Sequence, residues 1–304
     1  MINKMRFVRR SLIVTPGNVE SKLEKARTFR VDVLMLDLED GVPDTDSAKA
    51  RARNLLRDAL SSSSHFAARE VAIRVNGPRT KWFLQDAEFV VGLNLSTIVV
   101  PMIYDEKDMV FVERSLTNFG ASESLGLILL IETPASVLNL PQIIEASPRT
   151  NGLIAGGLDY AAGLHSFSIL PVGNMISTER KDEDLLYMRQ RILAVGRAYN
   201  ISVIDAQRPG LISDIDSFRA DAQRARWLGF DGVDFYHPAF IDVANEVFTP
   251  STEELLWADR VLELNRSSRD DEPASIKIDG RVILPQHIDI ARRLKKLARD
   301  ISGA

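Results

Sequence analysis

Eight short apolar, β-rich runs, most of them followed by a segment of helical spacing, constrain this chain more than any other feature. The runs are 11–15, 33–37, 71–75, 97–101, 127–132, 152–156, 201–205 and 232–236. Helical periodicity follows at 19–29, 47–60, 106–117, 183–199, 215–228 and 252–264, and again at 135–146. Consecutive parallel strands need a crossover of about a dozen residues, which such a segment supplies. The runs are almost uninterrupted in apolar residues, as expected of strands covered on both faces. Eight such units in the first 250 residues predict an α/β fold, a (β/α)₈ TIM barrel over 1–250, with a C-terminal helical extension over 251–304. An open doubly wound sheet is the competing arrangement, and no Gly-rich dinucleotide fingerprint supports it.

Composition narrows the function classes. The chain of 304 residues is 45% hydrophobic and 26% charged, as in ordinary soluble enzymes. Its net charge of −4 argues against nucleic acid or an anionic membrane as a main partner. It has no cysteine, so thiolate chemistry and disulfides are excluded. The basic stretch 1–10 is not followed by a long apolar segment, and no apolar run approaches a membrane span, so the expected compartment is the cytoplasm. The four histidines are scattered, without paired metal-ligand spacing.

Barrel enzymes carry their sites at the carboxyl ends of the strands. Here those ends read Thr15-Pro16-Gly17, Asp37-Leu38-Glu39-Asp40, Arg74-Val75-Asn76, Pro101, Glu132-Thr133, Gly156 to Asp159, Asp205-Ala206-Gln207 and Tyr236-His237-Pro238. Nearly all are polar, charged or turn-forming. Glu132 closes one of the apolar runs and Asp159 lies just past the end of another. Oxygen ligands suit Mg²⁺, which typically takes one or two protein carboxylates and leaves positions for water and substrate. The plainer alternative is that Glu132 caps the following helix and Asp159 is a loop residue. The convergence of polar strand ends favours the metal.

Beyond Pro250 the sequence predicts a helix over 252–264, a polar linker over 265–274, a short segment over 275–281 and a basic helix over 285–301. The charges Arg292, Arg293, Lys295, Lys296 and Arg299 read first as a solvated face, and second as a surface for another subunit or for phosphate.

Several motifs, in order, resemble one family. They are Arg10-Ser11-Leu12 with Pro16-Gly17; Asp37 to Val42; Lys49 with Ala52-Arg53; the V-x-x-R-x-N pattern of 71–76; Ile131-Glu132-Thr133; the G-x-D-x-x-x-G of 157–163; and His237-Pro238 with Phe248-Thr249-Pro250-Ser251. Together they are similar to the citrate lyase β-subunit-like family, from near Arg9 to near Asp300. The resemblance implies Mg²⁺-dependent carbon–carbon lyases on (β/α)₈ barrels. Such enzymes cleave citryl, malyl-CoA or citramalyl-CoA thioesters to an acetyl thioester and a 2-oxo acid. It makes Glu132 and Asp159 the metal ligands and Arg74 the holder of the substrate's oxygens, with Lys25 meeting CoA phosphates. A forked, permanently charged guanidinium suits oxygens that gain charge as the bond breaks. A salt bridge from Arg74 to Asp37, Glu39 or Asp40 is its merely structural alternative. Glu39 and Asp40 are expected to brace the metal waters and Arg74.

Two departures from the family pattern stand out. Met102 occupies the place of the family's usual Lys. Leu284 falls where a C-terminal acid usually acts as acid/base. Leucine moves no proton, so the base is left unassigned among His237, Asp205, Asp37 and a metal-bound water, and thioester hydrolysis is expected to be poor. The first expectation is a stand-alone lyase on a citramalyl- or malyl-CoA thioester. The second is a citrate lyase β chain needing a carrier protein and an α chain, and the third is a non-catalytic ligand-binding relative. A homotrimer or homohexamer is implied, the last 54 residues crossing to a neighbour.

Overall fold

The computed structural model describes residues 8–61, 65–93, 95–169, 183–206, 214–267 and 276–303. Eight parallel strands close into a barrel in sequence order: β1 (Ser11–Pro16), β2 (Val33–Asp37), β3 (Glu70–Arg74), β4 (Thr97–Val100), β5 (Gly126–Ile131), β6 (Thr150–Ala155), β7 (Ser202–Ala206) and β8 (Gly232–Phe235), with β8 pairing back onto β1. The helices between them are α1 (Glu20–Ala26), α2 (Asp46–Ser61), α3 (Phe83–Val91), α4 (Glu106–Asn118), α5 (Pro134–Leu138), α6 (Leu140–Glu145), α7 (Gly157–Gly163), α8 (Leu186–Ala198) and α9 (Ile215–Leu228). After the barrel come α10 (Ile241–Phe248), α11 (Thr252–Ser267), the hairpin β9 (Ile276–Ile278) and β10 (Arg281–Ile283), and α12 (Pro285–Ser302). The chain forms two compact units that divide between Asn245 and Glu246, inside α10. No described helix is long and apolar enough to cross a membrane.

The strands explain their own composition. Leu12, Val14, Val33, Met35, Ala72, Val99, Ile128, Leu130, Ile154 and Ile204 form one buried cluster, and within each strand they are every second residue. This is the inward series that fills the barrel. The alternating residues, such as Ile13, Leu34, Leu36, Ile73, Ile98 and Leu129, are equally buried and face the helical shell. Both faces are dry, hence the continuous apolar runs.

The N-terminal end of the barrel is closed by one guanidinium. Arg9 is 1% exposed. It donates through Nε and Nη2 to the two oxygens of Glu70 at 2.9 Å each, and through Nη1 to Ser202 Oγ at 3.0 Å and the Asn151 carbonyl at 3.2 Å. Glu70 and Ser202 open β3 and β7, and Asn151 is second in β6. One side chain therefore ties three strands at their starts. Removing one partner of a buried pair leaves an uncompensated charge, at a cost of about 3–5 kcal/mol. Arg9→Met is expected to lose that much in urea denaturation, and Arg9→Met/Glu70→Leu to recover most of it. Equal losses in the two variants would contradict this account.

Several local expectations change. The helix expected over 135–146 breaks at Asn139, because Pro141 has no N–H to continue it. Thr133, not Glu132, caps α5, accepting the Ser136 N–H. Asp159 lies in the first turn of α7, not in a loop. The segment expected over 275–281 belongs to a hairpin. Asp279 (φ 48°) and Gly280 (φ 78°) form its two-residue turn, as Asp-Gly favours. Gln207 and most of the expected linker over 265–274 fall outside the described residues. The second unit has its own small core of Ala258, Val261, Ile278, Ile283 and Ala291.

Candidate active site

Period-two geometry assembles the mouth. If Met35, Ala72, Leu130 and Ile154 point into the barrel, so do the residues two further on: Asp37, Arg74, Glu132 and Gly156. Asp37 and Arg74 are also register partners across β2 and β3. Their pair is bidentate, Nε to Oδ1 at 2.7 Å and Nη2 to Oδ2 at 2.8 Å. Arg74 Nη1 meets Glu39 Oε2 at 2.9 Å and, more distantly, Asp40 Oδ2 at 3.8 Å. Asp40 is largely exposed, whereas Asp37 and Arg74 are buried.

Asp37 is not placed as a base. Besides Arg74, its Oδ1 accepts the Glu39 N–H at 2.9 Å and its Oδ2 the Gly41 N–H at 2.7 Å. Each oxygen thus accepts two hydrogen bonds, and the carboxylate braces Arg74. The other sequence-derived bases fare similarly. Ile204 faces inward, so Asp205 faces the helices, where Arg189 of α8 meets it at 3.0 Å. His237 Nδ1 accepts the Ala239 N–H in a short turn. Leu284 is a half-exposed residue preceding α12, and Asp279 is paired with Arg260.

Glu132 follows β5 and is 4% exposed. Its Oε1 accepts the Met102 N–H at 2.8 Å. Met102 reaches that position with φ 51°, a left-handed conformation uncommon outside glycine. A Cβ on Gly156 would lie 2.5 Å from the Glu132 Cβ, so Gly156 is the inward residue that makes room. Asp159 stands on α7, open to solvent, and shares the field of Arg74 and Asp40. Tyr236, two beyond the inward Asp234, also feels Arg74 and Asp37. Lys25 is exposed in the last turn of α1 and makes no ion pair with this cluster among the described residues.

The acids outnumber the cation. Burial pushes the Glu132 carboxyl well above its usual range, Glu39 adds to this, and the Met102 N–H and Arg74 oppose it. Burial pushes Glu39 from 4.5 to about 8 despite Arg74. Partial desolvation and Asp40 raise Asp159. Hard oxygen donors around one guanidinium suit an added divalent cation. Among the described residues no three acids or histidines converge on one point. A metal held by only one or two carboxylates would complete its shell from water and substrate, as Mg²⁺ does.

A pH dependence follows. A carboxyl whose folded-state pKa exceeds its unfolded value binds its proton more tightly when folded. The contribution of Glu39 to metal-free stability is then fully present below 4.5 and is lost as pH rises through about 8. By scanning calorimetry the metal-free protein is expected to melt several degrees lower at pH 8 than at pH 5.5. The slope should be shallower in Glu39→Gln, and identical slopes for the two proteins would refute the assignment.

Sequence reasoning passed over three contributors. Met102 acts through its backbone, which residue identity does not reveal. Gly156 reads as a turn. Lys49, noted only as part of a motif, lies fully buried behind the Glu39 loop.

Residues 10–238 match the HpcH/HpaI aldolase/citrate lyase family. Over 298 residues, 97% of this chain and 96% of the relative, the chain is 30% identical to a protein named (3S)-malyl-CoA thioesterase from Cereibacter sphaeroides. It is 27% identical to the citrate lyase subunit beta of Escherichia coli, covering 97% of this chain and 94% of that one. A crystal structure of the protein CitE from Mycobacterium tuberculosis with magnesium and acetoacetate is similar at a TM-score of 0.63 and 25% identity. That likeness covers 82% of this chain and 94% of that one.

Proposed function

The chain belongs to the HpcH/HpaI aldolase/citrate lyase family, and on that footing we propose that it is a Mg²⁺-dependent carbon–carbon lyase. Its substrate is a 3-hydroxyacyl-CoA thioester of the citramalyl-CoA or malyl-CoA type, cleaved to acetyl-CoA and pyruvate or glyoxylate. The observation that carries this reading is the braced Arg74 sharing one barrel mouth with Glu132, Glu39 and Asp159. The magnesium in the CitE structure and the CoA thioester in the relative's name support it.

Glu132 and Asp159 would hold Mg²⁺. When bound, the metal supplies Lewis acidity to the carbonyl and carboxylate oxygens of the 2-oxo acid. In the cleavage the carbinol O–H gives up its proton as its oxygen becomes the carbonyl of the 2-oxo acid. The bond to the carbon α to the thioester breaks, with its electron pair passing to the thioester carbonyl as an enolate, and that enolate takes up a proton on the α carbon to give acetyl-CoA. Of the five N–H donors of Arg74, two go to Asp37, and Nη1 is ion-paired with Glu39 Oε2 at 2.9 Å. One N–H remains on each terminal nitrogen for a substrate oxygen that gains charge. Asp37 fixes the guanidinium plane, so these donors need no reorganisation during reaction. Glu39 and Asp40 complete the wall around Arg74. Lys25 is assigned to the CoA phosphates, and residues 251–304 to packing on a neighbouring subunit of a homotrimer or homohexamer.

A second reading is hydrolysis of the thioester itself, favoured by the name of the relative at 30% identity. Leu284 argues against it, since no acid stands there to serve water. The test is turnover of malyl-CoA and citramalyl-CoA with Mg²⁺, quantifying 2-oxo acid, acetyl-CoA and free CoA. Acetyl-CoA with stoichiometric 2-oxo acid, abolished by EDTA, is expected. Free CoA with malate would establish the thioesterase. Turnover only of a carrier-bound citryl thioester would establish a citrate lyase β chain. Magnesium binding without any turnover would leave a ligand-binding relative.

A further inference from the structure

Lys49 presents a problem that the reaction alone does not answer. It lies on α2 and is 0% exposed. Withdrawing an ammonium from water is costly, and a neutral side chain of similar volume could fill the space. Its Nζ donates to the carbonyls of Leu38 and Glu39, each at 2.8 Å, and stands 3.3 Å from Asp44 Oδ1. The face of Trp82 lies 5.0 Å away.

Successive carbonyls in a strand point in opposite directions. Here two successive carbonyls meet one nitrogen, so the chain has left the pleat immediately after Asp37. Leu38 O also accepts Asn76 Nδ2 at 3.1 Å. Asn76 is itself anchored, its N and Nδ2 both donating to Asp86 Oδ2 at 2.9 and 2.6 Å, and Asp86 is 0% exposed. The other oxygen of Asp86 takes Arg53 Nη1 at 2.7 Å. The Leu38–Glu39 peptide is therefore gripped from α2 on one side and from the β3–α3 connection on the other. The next carboxylate along the chain is the one that reaches Arg74.

We propose that Lys49 and Asn76 are positioning residues, a clamp on the Leu38–Glu39 peptide that aims Glu39 at Arg74 Nη1. The two touch neither substrate nor metal and act through Glu39. The kinetic part of this inference rests on the lyase reading, and the structural part does not.

The test pairs crystal structures of the metal-free wild type, Lys49→Met and Asn76→Ala with steady-state kinetics of the same proteins. Lys81→Met, which removes an exposed cation over the same Trp82 ring, is the control. In both clamp variants the Glu39–Arg74 contact, 2.9 Å here, is expected to open beyond hydrogen-bond reach while Arg74–Asp37 persists. Turnover should fall roughly 10- to 100-fold, as when an outer partner of a site is removed, with KM within about twofold, and the control unchanged. An intact Glu39–Arg74 contact and wild-type kcat in both variants, with only lower thermal stability, would overturn the clamp. If Lys49→Met does not fold, Asn76→Ala alone decides. If the wild type turns over no thioester, the lyase reading fails, and the Glu39–Arg74 distance still judges the clamp.

Discussion

Glu132→Gln is expected to lose roughly 10³-fold or more in kcat and, without metal, to melt several degrees above the wild type. Both effects come from one atom change. Gln keeps an oxygen to accept the Met102 N–H and fits beside Gly156, so shape is preserved. What disappears is a carboxyl that burial and the neighbouring Glu39 hold far above its ordinary pKa. In the unfolded chain that group ionises freely at neutral pH. Folding must reprotonate it or bury its charge, and either costs free energy. Gln carries no such cost, so the metal-free variant gains stability. On the proposed reading it also loses an anionic metal ligand, and with it the charge stabilisation that a positioned cation supplies. Millimolar Mg²⁺ should raise the melting temperature of the wild type by mass action and leave the variant unmoved. Wild-type turnover in Glu132→Gln, or equal stabilisation of both proteins by Mg²⁺, would remove Glu132 from the metal site.

Arg74→Met should be damaging in both respects. It strands Asp37, which is 1% exposed, and leaves Glu39 facing Asp40, Asp37 and Asp159 with no cation among them. Breaking a buried ion pair from one side costs about 3–5 kcal/mol. Arg74 also opposes the raised pKa of Glu132, Glu39 and Asp159. Its loss therefore steepens the decline of stability with rising pH. Arg74→Lys separates charge from shape. An ammonium keeps the positive charge but lacks the planar fork that meets Asp37 bidentately while reaching Glu39. Denaturation in urea should show Arg74→Lys recovering about half of the loss. Its kcat should stay on the order of 10²-fold below the wild type. A fully active Arg74→Lys would show that the fork is dispensable and that only the charge matters.

The barrel was legible because its signal is repetitive. Eight apolar runs with crossover-length spacers admit few topologies, and polar strand ends marked the mouth. What the sequence could not show is which parity of each strand faces inward. Both series are apolar, so Asp205 and Asp37 looked alike as strand-end acids. Parity separates them, sending Asp205 to Arg189 outside the barrel and Asp37 to Arg74 within it. Saturation was equally hidden. That Asp37 accepts four hydrogen bonds depends on the turn at Glu39 to Gly41, and no residue type announces it. Gly156-Gly157 reads as a helix breaker, and so α7 with Asp159 went unseen. Asp279-Gly280 lies inside the short segment expected over 275–281, although the pair is an ordinary hairpin signal.

The clasp formed by Arg9 has a consequence for how this scaffold can change. It joins three staves of the cylinder at the floor, at the opposite end from the Arg74 mouth. The ceiling loops are thereby relieved of holding the cylinder shut. They are free to diverge, while positions 9, 70, 151 and 202 form a keystone that such divergence has to leave in place.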